Sequence, residues 1–186
     1  GAPVPEGGGA VGASACPAGA FHFSSQARGA CREWWIESWD TLATRLWLGR
    51  QDLHFVGPGS AAPRERARLE KLAALVNDLR LIIGPPEIGV AELAAVLVRC
   101  RLHVGGDSGV LHLALAAGIS TVGIFRDYAA LSEWRPRGDH HRQVETACPC
   151  AERGALDAAC TECSACLARI GPETVSARVE ELLGAR

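Results

Sequence analysis

Residues 105–125 read GGDSGVLHLALAAGISTVGIF. Two glycines close the short apolar run 102–104 and let the backbone turn sharply at what reads as a strand end. Asp107 or Ser108 can cap the helix expected over 110–117, Gly109 keeps its first turn open, and Gly118 stops it before another strand at 121–125. The amides of Ser108, Gly109 and Val110 then stand without intrahelical acceptors at the positive end of a helix dipole, where a diphosphate can be held without a metal ion. The same residues also make an ordinary cap, with His112 a half-buried side chain satisfied by its neighbours. Both readings fit these residues taken alone.

Working upstream, the same unit repeats. Residues 20–23 read as a strand, 24–32 as a polar loop and 36–48 as a helix. A second strand is expected at 52–56, a loop at 57–62, and a helix at 63–76 with Pro63 in its first turn and Leu69, Leu72, Ala73 and Val76 on one face. A third strand at 79–83 ends in Gly84, Pro85 and Pro86, and a helix at 90–99 follows. Strands alternating with helices of this length predict an α/β fold, a Rossmann-like parallel sheet with helices on both faces. Such sheets bind ligands at the C-terminal ends of their strands, so the loops at Ser24, Gly57, Gly84, Gly105 and Phe125 are expected to share one rim. Beyond it come a polar loop to His141, a cysteine-rich stretch and a last helix at 173–183.

Composition narrows the function classes. The 186 residues suit one substantial domain, expected over 16–186, after a small-residue-rich flexible linker over 1–15. A net charge of −2 gives no broad attraction to nucleic acid, yet all of the 19 basic residues except Lys71 are Arg, which suits local, bidentate phosphate contacts. No apolar run approaches the length of a membrane span, and the opening residues lack the basic flank and apolar core of a signal peptide. The absence of any Met leads to the expectation that the chain is part of a longer protein. A nicotinamide-dependent oxidoreductase fits poorly, because no G-x-G-x-x-G follows the first strand and the glycine loop comes after the fourth.

The stretch 105–125 closely resembles the strand, Asp-Ser-Gly, His, Ala-rich helix, Gly and strand of glycosyltransferase family nine, the heptosyltransferases. Upstream, Arg32-Glu33-Trp34-Trp35-Ile36-Glu37-Ser38-Trp39 is similar to that family's basic residue, aromatic and helix start; downstream, Cys148-Pro149-Cys150 and the later cysteines resemble its tail. The resemblance covers about residues 20–183 and implies the C-terminal half of a GT-B fold, which binds a nucleotide-activated sugar, typically ADP-heptose. It further implies an inverting transfer whose general base and acceptor surface belong to the N-terminal domain, with a lipopolysaccharide core or a protein hydroxyl as acceptor. No catalytic residue is then expected in this half beyond leaving-group stabilisation by Arg32 and Asp107, and no metal is expected for catalysis. The expected location is the cytoplasm, with peripheral attachment at the inner membrane also compatible; an oligomer is compatible too.

The donor-binding set expected on this basis is Ser24, Ser25, Arg32, Asp107, Ser108, Gly109 and His112. Arg32 stands where the family usually carries a phosphate-contacting Lys, which keeps the charge and changes its geometry. Ser24 and Ser25 fit a phosphate or sugar loop and also an ordinary turn. The loop 57–62 departs from the family pattern, having no acidic residue before Glu65, which is expected on the exposed side of its helix. Trp34, Trp35 and Trp39 are read mainly as packing residues, His22, His54 and His103 as packed within strands, and Arg126 and Asp127 as a bulky or charged rim after the fifth strand.

Five of the eight cysteines crowd into 148–166. Cys148, Cys150, Cys160, Cys163 and Cys166 give C-x-C, then C-x-x-C-x-x-C, and two short thiolate arms can wrap one tetrahedral zinc or iron ion. Either Cys163 or Cys166 serves as the fourth ligand. A structural metal is favoured over disulfides or free thiols, since a reducing cytosol disfavours disulfides. A diverged, inactive, metal-stabilised scaffold is the alternative function, supported by the missing acid at Gly57.

Overall fold

The computed structural model describes residues 21–24, 33–127, 134–148 and 166–184. The linker expected over 1–15 lies outside them, as do Ser25 and Arg32. Among the described residues eleven elements follow in chain order: β1 Phe21–Ser24, α1 Ile36–Gly49, β2 Phe55–Gly57, α2 Pro63–Val76, β3 Leu81–Ile83, α3 Val90–Leu97, β4 Leu102–Gly106, α4 Gly109–Ala116, β5 Ser120–Asp127, β6 His141–Ala147 and α5 Pro172–Gly184. The six strands form one sheet in the order β3-β2-β1-β4-β5-β6. Every pairing is parallel.

Strand alternation divides the core into two layers. Phe55 of β2, Leu102 and Val104 of β4, and Val122 and Ile124 of β5 pack with α1, α2 and α5. Val56, one residue on from Phe55, turns to the opposite face with Leu93, Val96 and Leu97 of α3 and Ala114 of α4. α1 buries Ile36, Trp39, Leu42, Ala43, Leu46 and Trp47, the 3.6-residue stripe that its sequence predicts. Trp34 is buried and its indole Nε1 donates to the Ile170 carbonyl at 3.0 Å, tying the approach to α1 to the approach to α5. Packing is therefore the role of Trp34 and Trp39, whereas Trp35 is exposed. His103 is fully buried within β4, as expected.

Helix ends obey local chemistry. Pro63 opens α2, Asn77 closes it in the left-handed region at φ 44°, and Gly118, at φ +72°, lets the chain leave α4 for β5. No described helix is long and apolar enough to cross a membrane.

Two expectations are corrected. The polar stretch ending at His141 is followed by a sixth strand, β6, in which only Val144 is buried. It is an edge strand with polar side chains on its open side, so neither an apolar run nor a clean alternation marks it. Arg126 and Asp127 belong to β5 itself, because Arg126↔Thr146 and Asp127↔Ala147 extend its ladder with β6. Arg126 is buried, so it adds no exposed charge to the rim.

Candidate functional site

In a parallel sheet ordered 3-2-1-4-5-6, the connections leave β1 and β4 toward opposite faces, and a crevice opens between their C-terminal ends. β1 ends at Ser24, which is in register with Gly105 of β4, and Gly105 is in turn in register with Gly123 of β5. The fold thus brings the backbone of Ser24 beside the glycine turn that precedes α4, across 81 positions of sequence, the difference between those two numbers.

Ser108 is the N-cap of α4, with extended backbone, and its hydroxyl accepts from the Leu111 amide at 3.4 Å. The carbonyl of Ser108 accepts from Leu111 and His112 at 3.1 and 3.4 Å. Gly109 and Val110, the first two residues of the helix, have no acceptor for their amides among the described residues. A carbon added at Gly109 would meet nothing within 4 Å among the described residues, so no packing contact with them demands a glycine there. The arrangement is a pair of open donors at the positive end of a helix dipole, facing the sheet's switch point.

His112 lies one turn into α4. Its Nε2 is 3.9 Å from Asp107 Oδ1, and its ring meets Trp134 edge to face at 5.7 Å between centroids. Asp107 therefore sits between the glycine turn and His112, with its side chain one-fifth exposed. His112, Leu115, Trp134, Arg135, Pro136, Arg137 and His141 line a groove of about 590 Å³ between α4 and the connection from β5 to β6.

A second cleft, of about 250 Å³, opens at the ends of β2 and β3, lined by Gly59, Ser60, Gly84 and Pro86 and by Arg66, Leu69, Glu70 and Ala73 of α2. Two backbones meet here. The Gly84 amide donates to the Gly57 carbonyl at 2.9 Å, and a carbon on Gly59 would lie 1.8 Å from the Pro85 oxygen. Only a glycine lets these loops approach so closely. Glu65 is half-buried, and its carboxylate accepts from the Ser60 hydroxyl at 2.6 Å, so it braces the loop 57–62 instead of standing on the open side of its helix.

Between these features and α1 sits an ion cluster that sequence reasoning passed over. Glu33 is buried, 6% exposed, with Arg64 at 2.8 Å and Arg68 at 3.5 Å. Arg68 also donates to the Trp34 carbonyl, and burial pushes its pKa down, against the pull of Glu33. The cluster clamps the residues that follow Arg32 onto the first turns of α2. Trp134 and Arg137 were passed over as well, although an aromatic followed by Arg-Pro-Arg in a polar connection was a legible signal.

Of the expected donor set, Ser24, Asp107, Ser108, Gly109 and His112 gather at the switch point; Ser25 and Arg32 lie outside the described residues. Of the cysteines, Cys148 at the end of β6 and Cys166 before α5 are buried, and Cys150, Cys160 and Cys163 lie outside the described residues. Among the described residues no group of three or more His, Cys, Asp or Glu side chains is arranged to hold a metal ion.

Comparison with known proteins sharpens this picture. The family model for glycosyltransferase family 9 (heptosyltransferase) matches residues 13–159. A Haemophilus influenzae protein named as a glycosyltransferase is 29% identical over 100 residues, which cover 53% of this chain and 29% of that protein. The E. coli heptosyltransferase WaaC with ADP superposes with a TM-score of 0.69 at 19% identity, over 89% of this chain and 45% of its own. E. coli ADP-heptose LPS heptosyltransferase II gives 0.70 at 19% identity, over 89% and 46%. The chain thus spans less than half the length of each of these relatives. Its fold is the Rossmann-like half of a GT-B architecture.

Proposed function

The chain belongs to glycosyltransferase family 9, and from that premise we propose that it is the donor-binding half of an inverting glycosyltransferase that moves a heptose or related sugar from an ADP-sugar. The observation that carries this reading is the coincidence of the open Gly109 and Val110 amides with the switch point between β1 and β4. Dimensions support a nucleotide. At about 4.8 Å per strand, the ends of β2 and β3 lie roughly 10 and 14 Å from the end of β4. A nucleoside diphosphate whose phosphates rest on α4 reaches, with its base, the cleft at Gly59, Ser60, Gly84 and Pro86. Two of the similar structures are described with ADP or ADP-heptose in their names, which favours adenine as that base.

In this reading the half contributes leaving-group stabilisation. As the sugar–oxygen bond breaks, negative charge collects on the departing diphosphate, and donors already aimed at it lower the barrier without reorganising. Gly109 and Val110 supply amides, and Arg32, Ser24 and Ser25, which follow the start of β1 in sequence, are assigned the remaining phosphate contacts: a guanidinium from Arg32 and hydroxyls or amides from the serines. Asp107 organises the loop and holds His112 toward the sugar. The general base and the acceptor, a lipopolysaccharide core or a protein hydroxyl, belong to the N-terminal half of the cleft. A cytoplasmic setting follows from the ADP-sugar donor.

The cysteine segment is assigned a structural zinc or iron, held by four of Cys148, Cys150, Cys160, Cys163 and Cys166. The burial of Cys148 and Cys166 at its two ends supports this, since a buried thiolate suits a closed, structural site. Elemental analysis is expected to give one ion per chain, lost in Cys160→Ser/Cys163→Ser.

Calorimetric titration with ADP and ADP-heptose tests the donor reading. Replacement of Asp107 or Arg32 by Ala is expected to weaken binding about tenfold or more. Failure of the intact two-domain protein to bind either nucleotide would overturn it.

A further inference from the structure

Leu111 and Phe125 form a buried pair of their own, apart from both core layers. Gly109, Val110 and Leu111 make the first turn of α4, and of these Leu111 is the fully buried one. Phe125 reaches it from β5. Val122 and Ile124 pack with α1, α2 and α5, so alternation sends Gly123 and Phe125 to the side of the sheet that α4 covers.

The Phe125 ring lies back along its own strand over Gly123, whose missing side chain makes the room. A carbon added at Gly123 would stand 2.2 Å from Phe125 Cε2 and 3.1 Å from both Cδ2 and Cζ. Ordinary carbon–carbon contact is about 3.5–4.0 Å, so the ring would have to give way by roughly an ångström or more. It is buried against Leu111 and has no open side to leave by. The ring is thus a wedge between the β5 backbone and the first turn of α4. Leu111 is also the residue whose amide answers to the hydroxyl and the carbonyl of Ser108, at 3.4 and 3.1 Å. A shift of its side chain therefore passes to the cap and to the Gly109 and Val110 amides that lie between. Glycines at 105, 106 and 109 give this stretch little stiffness of its own to resist such a shift.

We propose that Phe125, in the space left by Gly123, is a positioning residue for the donor diphosphate: the ring sets the height of the first turn of α4 above the sheet, and with it the aim of the Gly109 and Val110 amides. It touches no substrate and acts through Leu111. The inference rests on the donor reading for the identity of the ligand, whereas the wedge itself is independent of it. Hydrogen bonds to phosphate respond sharply to such a shift, because they weaken steeply with angle and distance, and a misplacement of about 1 Å can cost a hundredfold in an active site.

The test compares Gly123→Ala, Phe125→Leu and the double variant in the intact protein, by calorimetric titration with ADP and with adenosine, which lacks the phosphates. Gly123→Ala overfills the space, Phe125→Leu underfills it, and the two together roughly conserve its volume, the kind of exchange that cores tolerate best. Each single variant is expected to bind ADP about tenfold more weakly with adenosine affinity unchanged, and the double variant to return to within about threefold of the unmodified protein. Hydrogen exchange of the Leu111 amide reads the wedge without a ligand: it is expected to be about tenfold faster in each single variant and restored in the double one. Should Gly123→Ala not fold, Phe125→Leu against the double variant carries the same comparison. The proposal is overturned if folded single variants bind ADP as the unmodified protein does, if adenosine weakens in step with ADP, or if the double variant recovers nothing. Absence of ADP binding by the unmodified protein, with Leu111 exchange still following the wedge, strikes instead at the donor reading.

Discussion

Gly109→Ala separates what the fold needs from what a ligand needs. Gly109 is the first residue of α4, its φ lies outside the left-handed region, and a methyl carbon there would meet no atom of the described residues within 4 Å. Nothing among the described residues resists the substitution. Alanine also restricts the unfolded chain more than glycine, which is worth about 0.4–1 kcal/mol where the native backbone suits it. For a chain of this size the melting temperature should rise by about 1–4 °C. A phosphate oxygen accepting from the amides of residues 109 and 110 would stand about 2.9 Å from each nitrogen. The new methyl would crowd that oxygen and displace it from at least one charge-assisted bond, worth about 1.5–3 kcal/mol. The expected result is a 10- to 150-fold weaker dissociation constant for ADP, roughly, by calorimetry, beside an equal or higher melting temperature by differential scanning fluorimetry. Unchanged ADP affinity in a stable variant would remove the phosphates from the α4 N-terminus. A melting temperature lowered by several degrees would show instead that the start of α4 packs against the chain.

Further outcomes follow from the same geometry. Glu33→Ala leaves the half-buried Arg68 guanidinium without its carboxylate partner and should cost about 1–3 kcal/mol, read as a lower denaturant midpoint at unchanged slope. Gly59→Ala forces the backbones of the 57–62 loop and of Gly84 and Pro85 apart, costs about 1–3 kcal/mol, and should weaken ADP binding if the base lies in that cleft; equal stability would refute the backbone junction. The Asp78 carboxyl is held at about 2, below its ordinary 3.8, chiefly by the side-chain bond from Arg80. A depressed carboxyl pKa contributes stability that is whole above the ordinary value and disappears as pH falls through the folded one, so Asp78→Asn should flatten the acid side of the stability profile between about pH 4 and pH 2.

Much of the candidate site was legible because its parts are local. The glycine turn, the Ser108 cap, the open amides and the stop at Gly118 all lie within fourteen residues, 105 to 118, and each follows from backbone chemistry that neighbouring residues dictate. What lay beyond reach depends on distant chain. Glu33 reads as one more charged residue before a helix until α2 brings Arg64 and Arg68 across it. Glu65 was assigned to the open face of α2 because helical spacing records which way a side chain leaves the axis, whereas the Ser60 hydroxyl that captures it comes from the folded-back loop. β6 went unrecognised because an edge strand with polar side chains carries no period of its own; pairing with β5 makes it a strand.

The sequence by itself determined the alternation of strands and helices, hence a parallel sheet with two covered faces, and it marked the loop after β4 as an anion site in waiting. Those conclusions rest on periodicity and helix-end chemistry, which are written within a few residues. Tertiary structure alone decided the strand order that puts Ser24 beside Gly105, the close approach of Gly59 to Pro85, and the groove where Trp134 meets His112. Each is a meeting of segments far apart in the chain, settled by which apolar faces can be buried together, and no local pattern records it.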